Sequence, residues 1–264
     1  MAGITLVLIP LVLLAQSPDA QAPPDSAEQF RIIAELRKSA MRYQGHLPDF
    51  LCTKVTTRST DQTGTGEHMK QQDVLEERVA FSRGRAVYTL VKINDKPTKK
   101  THEKLGGMIE DDLIASSLVP NYLFGPRAPV TFEWKRWDTV DGKQAHVIAY
   151  QVKPSVLNYP DGRTPYLLGF HGFAWVSASD SSLLRLEEHD DAPPGYPIVD
   201  GGNTIDFETV SISGAAFLLP VRGTTFGRVG KAAWRNTMEF IRYGKFQADV
   251  SLSFEEPGAR NLPK

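Results

Sequence analysis

One cysteine in 264 residues leaves no partner for an internal disulfide. Cys52 sits in the strand-like run Phe50-Leu-Cys-Thr-Lys-Val55, so a small buried hydrophobe is its expected role. Six histidines and that single thiol leave little for a metal site. No metal, redox centre or other cofactor is expected. Neither sign of charge is in excess, with 30 Lys and Arg against 31 Asp and Glu and a net charge of −1. A nucleic-acid binder usually shows a basic excess or stripe, so no nucleic-acid partner is expected. There is no G-x-S-x-G elbow, no phosphate loop and no G-x-G-x-x-G. His102-Glu103 lacks the second His of H-E-x-x-H, because position 106 is Gly. Glu187 and Glu188 are adjacent in a strand and point to opposite faces, so they form no local catalytic pair. No catalytic residue is assigned, and the chain is not expected to be an enzyme.

Long apolar runs are also scarce. Residues 4–15 form one, shorter than the roughly 20 residues of a membrane-spanning helix. Ala20-Gln21-Ala22 fits a small-x-small cleavage pattern. Residues 1–22 therefore read as a signal peptide and residues 23–264 as one mature domain, periplasmic or secreted. No Lys or Arg precedes the run, so an uncleaved N-terminal anchor is the alternative. No Cys follows it directly, which excludes a bacterial lipoprotein anchor.

What remains is ordinary globular composition, 41% hydrophobic and 23% charged, with enough chain for a sizeable core. Ser26 and Gln29 form a capping-box pattern, and Phe30, Ile33, Leu36, Ala40 and Tyr43 recur at helical spacing up to Gly45. Arg31, Arg37, Lys38 and Arg42 occupy the wetter faces, where a solvated surface is a plainer reading than an acidic-lipid contact. From Asp49 the period becomes two. Strands are expected at residues 50–59, 74–81, 85–93, 130–135, 144–152, 166–176, 183–189, 204–212, 215–225, 233–243 and 246–254. Residues 157–165 and 190–197 read as loops.

One helix interrupts the strands, residues 106–120, opened by Gly106-Gly107 and stopped by Pro120. Ile109 and Leu113 make one apolar seam. Ile114 and Leu118 make a second, roughly 140° round. A helix with two seams wants contact on two sides, as a sheet curling round it would supply. The expected fold is mainly β (α+β): a curled antiparallel sheet or incomplete β-barrel of about ten strands, with an N-terminal helix and an enclosed central helix.

His146, His171 and His189 fall on successive expected strands, with Asp190 and Asp191 behind. They read as hydrogen-bonded strand residues rather than as a metal or acid–base cluster. The aromatic strand residues are more telling. Phe132, Trp134, Phe170, Trp175, Phe207 and Phe240, with Ile109, Leu113, Ile114 and Leu118, are the candidate lining of a greasy cavity. A filled core is the alternative, since strand aromatics usually serve that.

Several phrases carry a resemblance: Leu47-Pro-Asp-Phe-Leu-Cys-Thr53, Leu105-Gly-Gly, Phe132-Glu-Trp, Leu219-Pro-Val-Arg222 and Arg235-Asn-Thr-Met-Glu-Phe240. In these the chain resembles a group of uncharacterised secreted bacterial proteins. Its order of parts is similar to the LolA/LolB-like fold. That resemblance implies a periplasmic half-barrel carrying lipoprotein acyl chains, and no residue role transfers with it. The expected function is non-catalytic binding of a lipid or acylated protein, with a membrane surface as a compatible partner. The alternatives are an envelope sensor or scaffold that binds a protein, and a hydrolase whose site carries no known motif.

Overall fold

The computed structural model describes residues 22–105, 121–158 and 164–246. Helix α1 (Ser26–His46) comes first. Asp25, not Ser26, is its N-cap: the Asp25 carboxylate accepts from the Glu28 amide at 2.8 Å. Asp caps as well as Ser does, so the helix simply starts one residue sooner. Ile32, Leu36 and Ala40 are buried at i,i+4 spacing, and Ile33 is half-buried beside them. Phe30 is 76% exposed, contrary to the expected stripe. It lies roughly 200° round the helix from Ile32, so both cannot face the core.

Eleven strands follow among the described residues. They are β1 (Phe50–Asp61), β2 (Lys70–Ser82), β3 (Arg85–Ile93), β4 (Lys96–Pro97), β5 (Val130–Val140) and β6 (Lys143–Asn158). Then come β7 (Tyr166–Ser177), β8 (Leu183–Asp191), β9 (Ile198–Ile212), β10 (Ala215–Val229) and β11 (Ala232–Lys245). A 3₁₀ turn (His102–Lys104) and the short helix α2 (Asn121–Phe124) lie between β4 and β5. The order across the sheet is β4-β3-β2-β1-β11-β10-β9-β8-β7-β6-β5. Every pairing is antiparallel. The edges β4 and β5 do not pair, so the sheet is open. The expected central helix and last strand fall outside the described residues, apart from Phe246.

Three hairpins turn where the sequence says they should. Arg83-Gly84, Asp141-Gly142 and Ser213-Gly214 all have positive φ at both positions, as the tight two-residue turns that match strand twist require. Several strands run longer than their patterning suggests. β6 extends into the expected 157–165 loop, with Leu157 opposite Leu167 and Asn158 opposite Tyr166, the residue at which β7 begins as expected. β8 runs on to Asp191, and β9 begins at Ile198. Pro154 lies inside the β6 extension, within a break in register, and Pro220, inside the expected 215–225 strand, borders another. Gly172 of β7 is there for space: a Cβ would overlap the Glu187 carbonyl of β8.

The β1–β2 connection is organised by one carboxylate. Asp61 accepts from the backbone amides of Thr63, Gly66 and His68 and from the Thr63 and Thr65 hydroxyls. The Thr63 hydroxyl leads these donors in holding the Asp61 carboxyl far below the usual range.

Candidate functional site

Strand alternation sorts the side chains into two faces. One face carries the main core, formed by Phe50 and Cys52 of β1, Val79 and Phe81 of β2, Ile148, Tyr150 and Val152 of β6, and Leu186 of β8. Ile205 and Phe207 of β9, Leu219 of β10 and Met238 and Phe240 of β11 continue it. Helix α1 contributes Ile32, Leu36 and Ala40, and α2 contributes Leu123 and Phe124. α1 packs against α2 and β5. Phe124 stacks on Phe132, with ring centroids 6.2 Å apart and planes 5° apart. The Arg37 guanidinium lies 5.0 Å from the Phe132 centroid.

Five of the expected lining residues meet here. Phe170, Phe207 and Phe240 are buried, and Phe132 and Trp134 are partly buried against them. Trp175 is brought elsewhere. It lies in a smaller cluster on the opposite face with Val140, Ala145, Val147 and Leu184, and its indole donates to Asp138 at 3.0 Å. Its neighbours Ala174 and Val176 face the main core, so alternation places Trp175 away from it. Ile109, Leu113, Ile114 and Leu118 lie outside the described residues.

The main core face also carries buried charge, which the sequence reading missed. Lys54 and Glu77 side chains are 3% and 2% exposed and pair at 3.2 Å. Glu77 also holds His102 Nε2 at 2.7 Å and accepts from the Thr56 hydroxyl at 3.4 Å. The Lys54 ammonium lies 4.9 Å from the Tyr88 ring centroid. Arg58 grips Asp73 through two bonds of 2.7 and 2.6 Å. A void of about 10 Å³ lies among Lys54, Thr56, Arg58, Glu77 and Asn236, room for roughly one water. The signal was present in the alternation, since Phe50 and Cys52 share their face with Lys54, Thr56 and Arg58. Further round, Thr225 Oγ1 and Trp234 Nε1 are buried with no hydrogen-bond partner among the described residues.

The expected histidine trio divides between the faces. His146 lies on the core face, where its Nδ1 accepts from the Trp134 indole at 3.2 Å and Trp137 packs 4.2 Å away. Burial pushes His146 toward its neutral form. His171 and His189 meet each other on the opposite face. Glu187 and Glu188 separate as expected: Glu188 is buried and accepts from Asn203 at 3.2 Å, while Glu187 faces outward near His189. Farther along the outer face, Asp206 binds Arg185 and Arg222. Burial raises the Asp206 carboxyl, but the two guanidinium groups outweigh it and hold the group below its usual range. Cys52 is buried as expected, and burial pushes its thiol up to about 12. Such a thiol is a poor nucleophile. No three His, Cys, Asp or Glu side chains converge as a ready metal cage among the described residues. No helix among them is long and apolar enough to cross a membrane.

No protein-family model matches the chain, and no curated protein matches it. Solved structures do resemble it at low identity. A putative outer membrane lipoprotein-sorting protein domain from Vibrio parahaemolyticus aligns over 86% of this chain and 96% of its own, at 10% identity and a TM-score of 0.44. A DUF1329 family protein from Desulfovibrio piger aligns over 84% and 95%, at 12% identity and 0.39. LprF from Mycobacterium bovis aligns over 81% and 93%, at 13% identity and 0.29.

Proposed function

We propose that this is an exported, non-catalytic binding protein that holds the acyl chain of a lipid or lipidated protein against the main core face. One observation carries the reading. The apolar interior is shared by strands from β1 to β11, yet the sheet that bears it is open between β4 and β5. Apolar contact is non-directional, so an acyl chain can replace protein side chains in such an interior without any matched polar geometry. Phe132 and Trp134, half-buried on the edge strand β5, stand at the mouth. Ile109, Leu113, Ile114 and Leu118 belong to the same lining in this proposal.

The test is uptake of a fluorescent fatty acid, with mass spectrometry of lipid co-purified from an envelope source. Phe132→Ala with Trp134→Ala lowers the urea midpoint, because both rings pack on the core, and changes uptake severalfold under conditions where the variant is still folded. Ile109→Ala with Leu113→Ala and Ile114→Ala with Leu118→Ala then separate, one pair losing stability and the other shifting uptake. A parent protein that takes up no probe and carries no lipid has a filled core. That result sinks the lipid reading in favour of a scaffold for a protein partner.

A further inference from the structure

Helix α1 carries a cation that no protein group matches. Its acidic side chains are Glu28 and Glu35, and both are taken. Glu28 accepts from Arg31 Nε at 2.8 Å, and Glu35 lies 3.5 Å from the Lys38 ammonium. Arg37 has no carboxylate partner among the described residues, and its Nε is buried without a hydrogen bond. The side chain is half-buried rather than on the wet face that its place in the sequence suggests.

The elements packed against α1 offer no match either. These are α2 and β5. α2 is Asn121-Tyr-Leu-Phe124 and holds no acid. β5 holds Glu133 and Asp138. Glu133 alternates with Phe132, points outward and pairs with Lys135 at 2.6 Å. Asp138 takes the Trp175 indole on the same outer face. An N–H sealed from water without an acceptor costs free energy, and native structures leave few of them.

The place of this cation is informative. Its guanidinium lies 5.0 Å from the centroid of Phe132, within cation–π range. Phe132 is on the edge strand, at the mouth of the interior, and stacks on Phe124. Ile33, one turn before Arg37 on the same side of α1, packs against the main core. A positive charge thus stands where an apolar path begins, which is the layout of a lipid with a charged end. The guanidinium fork fits the paired oxygens of a carboxylate or phosphate.

We propose that Arg37 binds the anionic end group of the ligand, a carboxylate or a phosphate, while the attached acyl chain lies along the main core face past Phe132. Entry of the chain at Phe132 uncovers Nε, and the anion takes it together with a neighbouring Nη. This rests on the acyl-binding reading and narrows it to an acidic single-chain lipid. A chain held in ester or amide linkage on a protein brings no charge to meet Arg37.

The experiment measures binding of three fluorescent probes to the full-length protein at pH 7.5: a long-chain fatty acid, its methyl ester, and a lysophosphatidic acid of the same chain. The parent should bind at least one of the two acids about tenfold or more tighter than the ester, the scale of a hydrogen-bonded charge. The tighter acid identifies the end group. Arg37→Gln should lower affinity for that acid to the level of the ester and leave the ester within about threefold. Arg37→Lys should keep part of the preference, since it keeps the charge and loses the fork. Arg31→Gln removes an equal charge from the exposed side of α1 and should change neither affinity. Thermal melts establish that each variant is folded, and if Arg37→Gln is not, the preference of the parent and Arg37→Lys decide. Equal binding of acids and ester by the parent would overturn the role of Arg37 and leave the acyl-binding reading standing. Retention of the preference by Arg37→Gln, or equal loss of all three probes, would overturn it too, the latter marking Arg37 as a packing residue. A parent that binds none of the probes sinks both readings.

Discussion

The two ends of the core face are held by different forces. Over β6–β9 the contacts are mostly apolar, Ile148 and Val152, Leu186, then Ile205 and Phe207, with Glu188 and His146 the buried polar groups among them. On β1 and β2 the same face passes from Phe50 and Cys52 to Lys54, Thr56 and Arg58, matched by Glu77 and Asp73. The apolar end depends on area removed from water, so one greasy occupant can stand in for another. The ionic end depends on particular distances, so any loss leaves a buried charge unmatched. A protein that had to open its interior to a chain would open the apolar end.

The largest effect should therefore come from the ionic end. Glu77→Ala leaves the Lys54 ammonium buried without its carboxylate. Breaking such a pair costs about 3–5 kcal/mol, to be read from urea unfolding. Replacing both members together, Lys54→Met with Glu77→Leu, should bring stability back to within about 1 kcal/mol of the parent or above it. If Glu77→Ala is nearly silent, the ionic end is not sealed and the contrast with β6–β9 disappears.

The apolar end should respond by degrees instead. Leu186→Ala should cost about 2–5 kcal/mol, and Ile205→Val about 0.5–1.5. No compensating partner substitution should exist for either, because no single contact was lost. Disproportionate loss from Ile205→Val would mean that this end is as geometrically specific as the ionic one.

The fold was readable where local chemistry acts alone. Arg83-Gly84, Asp141-Gly142 and Ser213-Gly214 marked their hairpins because only a few residues accept positive φ at both turn positions. Strand ends were less legible. The expected strand over 144–152 stops short of Pro154, and only the partner strand shows that this proline falls at an irregularity inside β6. Trp175 was grouped with Phe170 because aromatic type says nothing about face. The two are five residues apart in β7, an odd spacing, so alternation alone sends them to opposite faces. The His171–His189 contact was suspected from strand order. Register then joined those two and sent His146 to the other side. The Lys54–Glu77 pair was hardest to see, since an isolated Lys in a strand normally marks a wet face.

The smallest predicted effect concerns a charge that the core face tolerates without a match. Asp190 of β8 faces the same side as Glu188, opposite Phe170, with a carboxylate oxygen close to Gly201. No hydrogen bond to its side chain occurs among the described residues. Burial pushes its carboxyl up, the Asp191 charge adds to that, and His189 opposes it. The folded state therefore holds this proton more tightly than the unfolded chain. Its stabilising contribution is complete below the unfolded pKa of Asp, about 3.9. It is lost as pH rises through the higher folded value. At neutral pH the ionised group weighs against folding. Asp190→Asn keeps the shape and removes the charge, so it should raise the melting temperature at pH 7.5 by about 2–4 °C, the scale of one kcal/mol in a domain of this size. The gain should vanish below about pH 4, where the parent carboxyl is protonated in both states. A melting temperature that is unchanged or lower at pH 7.5 would show that the Asp190 charge finds its match in solvent, unlike the sealed Lys54–Glu77 pair.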